Sequence, residues 1–230
     1  MNGYDLAAGR YGAVVHEASR NGVLAVVFDM DGTLFDSTAC VTAAYRDAVV
    51  AAGGPSYTAT EIVAAYPLGP PARILGHLLG RPASLDEEGA YLALLGEYQD
   101  HILLYDGVKD LLSGLVAAAV PLAVFTGAST AAAMQLLAAT RLLNFFSVVV
   151  GGDAVPRPKP EPDGVLRACD LLGVSPRRAA YVGDSPLDLE AARRSGSLAV
   201  GAAWGHLFDP EARCDFVAVT PEALLSSVCA

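Results

Sequence analysis

The chain has 230 residues, enough for one large α/β domain or for a core domain carrying a smaller insertion. With 53% hydrophobic and 17% charged residues, it lies far from disordered, collagenous and coiled-coil compositions. Asp and Glu number 25 against 15 Lys and Arg, and the resulting charge of −10 repels nucleic acid and anionic lipid, so neither partner is expected.

In chain order, residues 1–22 carry Asp5, Arg10, His16, Glu17 and Arg20, which leaves no continuous apolar run for a secretory leader. Cys40, Cys169, Cys214 and Cys229 are scattered without a C-x-x-C pair, which argues against a zinc site or a disulfide framework. Both features predict a cytoplasmic protein. Val23 to Met30 is a Val-rich apolar run, the pattern of a strand buried on both faces of a parallel sheet. Similar runs at 121–126, 147–151, 179–183 and 198–203, with a sixth at 216–219, alternate with helical stretches. That alternation predicts an α/β fold with a doubly wound, Rossmann-like parallel sheet.

About ninety residues separate the first two of these strands, far more than one crossover helix needs. The predicted helices at 38–52, 59–66, 72–79 and 86–101, broken by Gly53-Gly54-Pro55 and Gly69-Pro70-Pro71, point to an inserted helical cap over residues 37–103. The core then comprises residues 1–36 and 104–230. Residues 111–140 carry no formal charge over a length that would span a membrane. Gly114, Pro121 and Gly127 interrupt that run, so it reads as helix, buried strand, tight turn and second helix.

In an open α/β sheet, ligands bind beyond the carboxyl ends of the strands. Here those ends are acidic: Asp29-Met30-Asp31-Gly32-Thr33 after the first strand and Gly183-Asp184-Ser185 after the fourth, with Thr126-Gly127 after the second. Carboxylates converging from distant parts of the chain repel one another, and a hard divalent cation, Mg²⁺ in an all-oxygen site, is their natural partner. Asp31, two residues after Asp29, points the same way if strand geometry persists and is placed for general acid and base work. Gly127 and Ala128 are expected to open a helix whose N-terminal end favours an anion, beside the Thr126 hydroxyl. Thirteen of the fifteen basic residues are Arg, yet Lys159 keeps a compact ammonium between Pro158 and Pro160, which stiffen its loop. Ser185, Pro186 and Asp188 occupy N-cap, N1 and N3 of a predicted helix, so capping explains Asp188 at least as well as metal contact does. Asp153 is either a rim acid or an ordinary loop acid. Arg73 and His77, one turn apart, read better as a solvated helix face than as a carboxylate-binding pair. His16, His101 and His206 lack metal-ligand spacing.

The run Phe28-Asp29-Met30-Asp31-Gly32-Thr33-Leu34 resembles the first motif of the haloacid dehalogenase superfamily in its phosphatase branch. Thr126-Gly127, Lys159 and Gly183-Asp184-Ser185-Pro186-Leu187-Asp188 resemble the second, third and fourth motifs in order, and 151–204 looks most like the phosphoglycolate phosphatases. The resemblance implies Asp29 as nucleophile through an aspartyl-phosphate, Asp31 as acid and base, and Lys159, Thr126 and Gly127 around the phosphate. It further implies Asp29, Asp184 and the Asp31 backbone carbonyl as Mg²⁺ ligands. A small phosphorylated metabolite is the implied substrate of a monomer or homodimer, with hinges near 35–37 and 103–107 closing the cap. The rival readings are a β-phosphoglucomutase-like phosphosugar mutase, a pyrophosphatase, and a non-catalytic phosphometabolite-binding protein.

Overall fold

A computed structural model describes residues 22–229; the N-terminal segment read above, with His16, lies outside them. Six parallel strands form the sheet, in the order β5-β4-β1-β6-β7-β8. They are β1 (Ala25–Phe28), β4 (Leu122–Phe125), β5 (Val148–Val150), β6 (Ala179–Gly183), β7 (Leu198–Ala202) and β8 (Phe216–Ala218). All six were anticipated by the apolar runs, each shorter by a residue or more except β6.

The period-two geometry of a strand divides their side chains between two helical layers. Val26, Phe28, Val124 and Val182 pack on one face, with Leu111, Leu112, Leu136 and Leu224 from α5 (Val108–Ala117), α6 (Thr130–Ala139) and α9 (Pro221–Val228). Val27, Phe125 and Tyr181 point to the other, against Val165, Cys169 and Ala192 of α7 (Asp163–Leu172) and α8 (Pro186–Ser195). Covering both faces is what an unbroken apolar β1 requires. The charge-free stretch 111–140 resolves into α5, β4 and the turn to α6, and no helix among the described residues is long and apolar enough to cross a membrane.

Between β1 and β4 the chain leaves the sheet through a two-residue antiparallel ribbon, β2 (Phe35–Asp36) against β3 (Leu103–Leu104), with Phe35 paired to Leu104. This ribbon is too short to leave a periodic signal. Beyond it lie α1 (Thr38–Ala51), α2 (Ala59–Ala64), α3 (Pro71–Leu79) and α4 (Leu85–Tyr98). Capping boxes at Thr58/Glu61 and Ser84/Glu87 set the starts of α2 and α4. The sequence extended α2 and α4 too far at their C-terminal ends, where the chain tightens into 3₁₀ turns at Tyr66–Leu68 and Gln99–His101. The helical insertion rests on the core through the Gln135 side-chain amide, which donates to the Leu92 carbonyl at 3.1 Å, and through Gly69 packed against Pro158.

Candidate active site

Register places the site. Phe28 pairs with Val124 on one side and Val182 on the other, so Asp29 leaves β1 level with Phe125 and Gly183, and Thr126 and Asp184 follow one residue later at the carboxyl ends of the adjacent strands. β1 is also where the strand order reverses, since the chain moves outward through β4 and β5 and then returns to β6 on the opposite side. After Asp29 the backbone turns tightly: the Leu34 amide donates to the Met30 carbonyl at 2.8 Å and the Gly32 amide to the Phe35 carbonyl at 2.9 Å. Gly32 takes φ +85°, and a Cβ there would lie 2.4 Å from Asp184 Oδ2, so glycine is required on both counts. Opposite it, a Cβ on Gly205 would lie 2.2 Å from Asp184 Cβ. The two glycines let backbone close around Asp184, whose Oδ2 accepts from the Leu207 amide at 2.9 Å.

Lys159 is the pivot of the site. Its ammonium pairs with Asp29 and, at 2.7 Å, with Asp188. The nitrogen also lies 5.1 Å from the centre of the Phe125 ring and 5.6 Å from that of Tyr181. Burial pulls its pKa down, but Asp188 and Asp29 outweigh burial and hold it above the ordinary lysine value. Asp188 accepts from the Ser185 hydroxyl at 2.6 Å and the Ser185 amide at 3.0 Å, completing the expected capping box, and the Tyr181 hydroxyl lies 3.1 Å from its other oxygen. The capping reading of Asp188 therefore stands, and the residue has a second occupation that sequence reasoning missed, namely orienting Lys159.

Asp31 lies half-buried at the wall of the same cavity, accepting a short hydrogen bond from the Ser37 hydroxyl, with Thr126 Oγ1 3.5 Å from its second oxygen. Thr126, Gly127, Asp29, Lys159 and Asp184 also line this cavity, which has a volume of about 350 Å³. The structure thus brings every residue of the anticipated site together. One detail differs. α6 begins at Thr130 rather than directly after Gly127, because Ser129 caps it and Asp153 accepts from the Thr130 amide at 2.7 Å. That helix end is already satisfied by Ser129 and Asp153, so Asp153 is a capping acid and not part of the cavity wall, while Gly127 and Ala128 belong to the preceding loop. Arg73 and His77 are exposed on α3 and do not line the cavity. Trp204, two residues after the end of β7, donates its indole N–H to the Thr33 carbonyl at 2.8 Å and so braces the turn after β1.

Four acids, Asp29, Asp31, Asp184 and Asp188, surround one lysine. Carboxylate oxygens of Asp29, Asp184 and Asp188 lie within 4.8 Å of one another. Burial, then the charge of Asp188, pushes Asp184 up to about 6. Burial and Asp188 likewise push Asp29 upward, against the pull of Lys159, and burial raises Asp31. A buried all-oxygen donor set with this excess of negative charge suits a small divalent cation.

Residues 23–196 match the model of the haloacid dehalogenase-like hydrolases, and the chain belongs to that family. It is 34% identical over 204 residues to the phosphoglycolate phosphatase of Chromobacterium violaceum, covering 80% of this chain and 86% of that one. To the phosphoglycolate phosphatase of Pseudomonas putida it is 31% identical over 191 residues, covering 79% and 70%. The crystal structure of CbbY from Rhodobacter sphaeroides in complex with phosphate superposes with a TM-score of 0.79 at 25% identity, over 90% of this chain and 100% of that one. The chain is accordingly a hydrolase of the phosphatase branch.

Proposed function

We propose that this phosphatase is Mg²⁺-dependent and hydrolyses the phosphate monoester of a small metabolite through an aspartyl-phosphate on Asp29. The observation that carries the reading is Lys159, fixed by Asp188 and two aromatic rings so that its ammonium meets Asp29 at the floor of the cavity. In the first displacement the Asp29 carboxylate attacks phosphorus while Lys159 offsets the charge gathering on the phosphoryl oxygens. Asp31 donates a proton to the departing alkoxide; burial raises its pKa, which favours the protonated acid, while the hydrogen bond donated by Ser37 pulls the other way and orients the carboxyl. In the second displacement the resulting Asp31 carboxylate takes a proton from water as it attacks the phosphoaspartate, restoring Asp29. Thr126 and Gly127 face the phosphate position. Asp29, Asp184 and the Asp31 backbone carbonyl are the residues proposed to hold Mg²⁺, with Asp188 behind them. When bound, the ion supplies positive charge that neutralises phosphoryl oxygens and draws the acids together.

On this reading 37–103 is a cap domain moving on hinges near 35–37 and 103–107, and 1–36 with 104–230 the core. The free cysteines of the described residues suit the cytoplasm. The test is hydrolysis of an aryl phosphate with and without Mg²⁺, combined with hydroxylamine trapping and mass spectrometry of the acyl phosphate. Turnover abolished by chelator and restored by Mg²⁺, with the trapped label on Asp29, is expected. Undiminished turnover in excess chelator, or by Asp29→Asn, would overturn the mechanism.

A further inference from the structure

Resting on the phosphatase reading, the geometry points to the chemical class of the leaving group. The insertion's side of the cavity is built from Val41, Tyr45, Val63, Tyr66, Ile74 and Tyr91, and none of the lining residues from the insertion is charged. The cations of the insertion are turned away or occupied elsewhere. Arg46 pairs with Asp47, Arg81 pairs with Glu87, and Arg73 and His77 are exposed outside the cavity. His206, whose field reaches Asp31 and Asp184, lies on the core side, outside the lining, within hydrogen-bonding distance of the Tyr105 hydroxyl at 3.0 Å. Among the described residues, Lys159 is the one cation that lines the cavity, held between Asp29 and Asp188.

A substrate carboxylate in this space would lose its water against valine, isoleucine and tyrosine rings, with no cation to meet it and four acids below. A polyol would bring several hydroxyls to a wall with few polar partners. The Tyr45 and Tyr91 rings stack, their centroids 4.2 Å apart. The Tyr66 hydroxyl is buried with no hydrogen-bond partner among the described residues, on a residue that lines the cavity. A buried polar atom left unsatisfied in this way is uncommon and marks a place for a ligand group.

We propose that the preferred substrate is the phosphate monoester of an uncharged, mainly apolar alcohol, cyclic or branched, with a single hydrogen-bonding group that meets Tyr66. The proposal sets this chain apart in specificity from an enzyme tuned to a phosphorylated short carboxylic acid. A cavity of about 350 Å³ is at the small end of ligand pockets, so the organic part is about the size of one ring.

The experiment is calorimetric binding of non-hydrolysable phosphonates in Mg²⁺. Benzylphosphonate is expected to bind about tenfold or more tighter than phosphonoacetate. Val63→Arg, which places a cation in the apolar wall, should reverse that order. Tyr66→Phe should leave benzylphosphonate within about twofold and weaken the best-binding hydroxybenzylphosphonate isomer about fivefold, the worth of one hydrogen bond. Equal or tighter binding of phosphonoacetate by the parent, or no measurable binding of either compound, overturns the proposal. Phosphonate binding needs no turnover, so the two readings fail separately. Preferential benzylphosphonate binding without hydrolysis of phenyl phosphate removes the phosphatase reading alone, and hydrolysis without the preference removes only the specificity.

Discussion

Replacing Lys159 with Met tests whether the site is organised around one buried ammonium. Methionine keeps the length of the stem and removes the ammonium that lies over the Phe125 and Tyr181 rings, so the substitution takes away charge with little change in volume. Lys159, Asp29 and Asp188 side chains are 11%, 8% and 1% exposed, which puts both ion pairs in the class where losing one partner costs about 3–5 kcal/mol. Asp188 retains Ser185 and Tyr181 as donors, which favours the lower end, about 3 kcal/mol. The loss should grow with pH. Without the lysine, Asp29 loses the pull that opposes burial and titrates still higher in the folded than in the unfolded chain, so the folded state is favoured while it is protonated and loses that advantage as it ionises. Urea unfolding followed by circular dichroism, in chelator at pH 7, reads the difference. Adding Asp188→Asn to Lys159→Met should recover part of it, because one of the stranded charges is gone. A Lys159→Met variant within about 1 kcal/mol of the parent, or a double variant with no recovery, would refute the account of a charge-locked site.

Gly205→Ala drives a Cβ into Asp184 Cβ and the Gly32 carbonyl, at 2.2 and 2.4 Å, and should cost about 1–3 kcal/mol and weaken Mg²⁺ binding, measured by unfolding and by titration of activity with the metal. Gly127→Ala meets nothing within 4 Å, so stability should stay within about 0.5 kcal/mol while turnover falls, because the new methyl projects from the cavity wall beside Thr126; unchanged turnover would remove Gly127 from the phosphate site. Asp31→Asn should slow phosphoenzyme formation far more with an alkyl phosphate than with a nitrophenyl phosphate, whose leaving group needs no proton, in single-turnover measurements; equal losses would deny Asp31 the acid role. Burial lifts the Cys40 and Cys169 thiols to about 11, so at pH 8 only about one in a thousand is thiolate, and iodoacetamide should label exposed Cys229 well before either.

The floor of this site was legible in the sequence because its residues follow apolar runs. A parallel strand announces itself by composition, and Asp29, Thr126 and Asp184 need only the rule that ligands gather at the carboxyl ends. The capping box at Ser185 and Asp188 was equally plain, since its spacing is local. The bond from Asp188 to Lys159 spans 29 positions and depends on the path of the loop carrying Pro158 and Pro160, which no periodicity encodes. The expected start of α6 at Gly127 and Ala128 is two residues early, because Ser129, a better cap, holds the true end. The ribbon of β2 and β3, two residues on each side, is below the length at which alternation means anything.

The roof was illegible for a different reason. Tyr45 and Tyr91 sit on their helices at positions that any amphipathic helix would fill with core residues, and an apolar side chain facing a ligand cavity has the same pattern as one facing protein. Only the tertiary arrangement separates them, and it does so through what is missing: a hydrogen bond to Tyr66, and a cation opposite the acids. A floor crowded with carboxylates and a roof with no charge make opposite demands on one molecule. The end that meets Lys159 must be strongly anionic, and the other end must tolerate apolar walls. Phosphate esters of polar acids satisfy the first demand alone, whereas esters of uncharged apolar alcohols satisfy both. On the proposed specificity, the side chains that discriminate among phosphate esters lie in 41–91, a stretch in which the sequence alone marked no specificity residue.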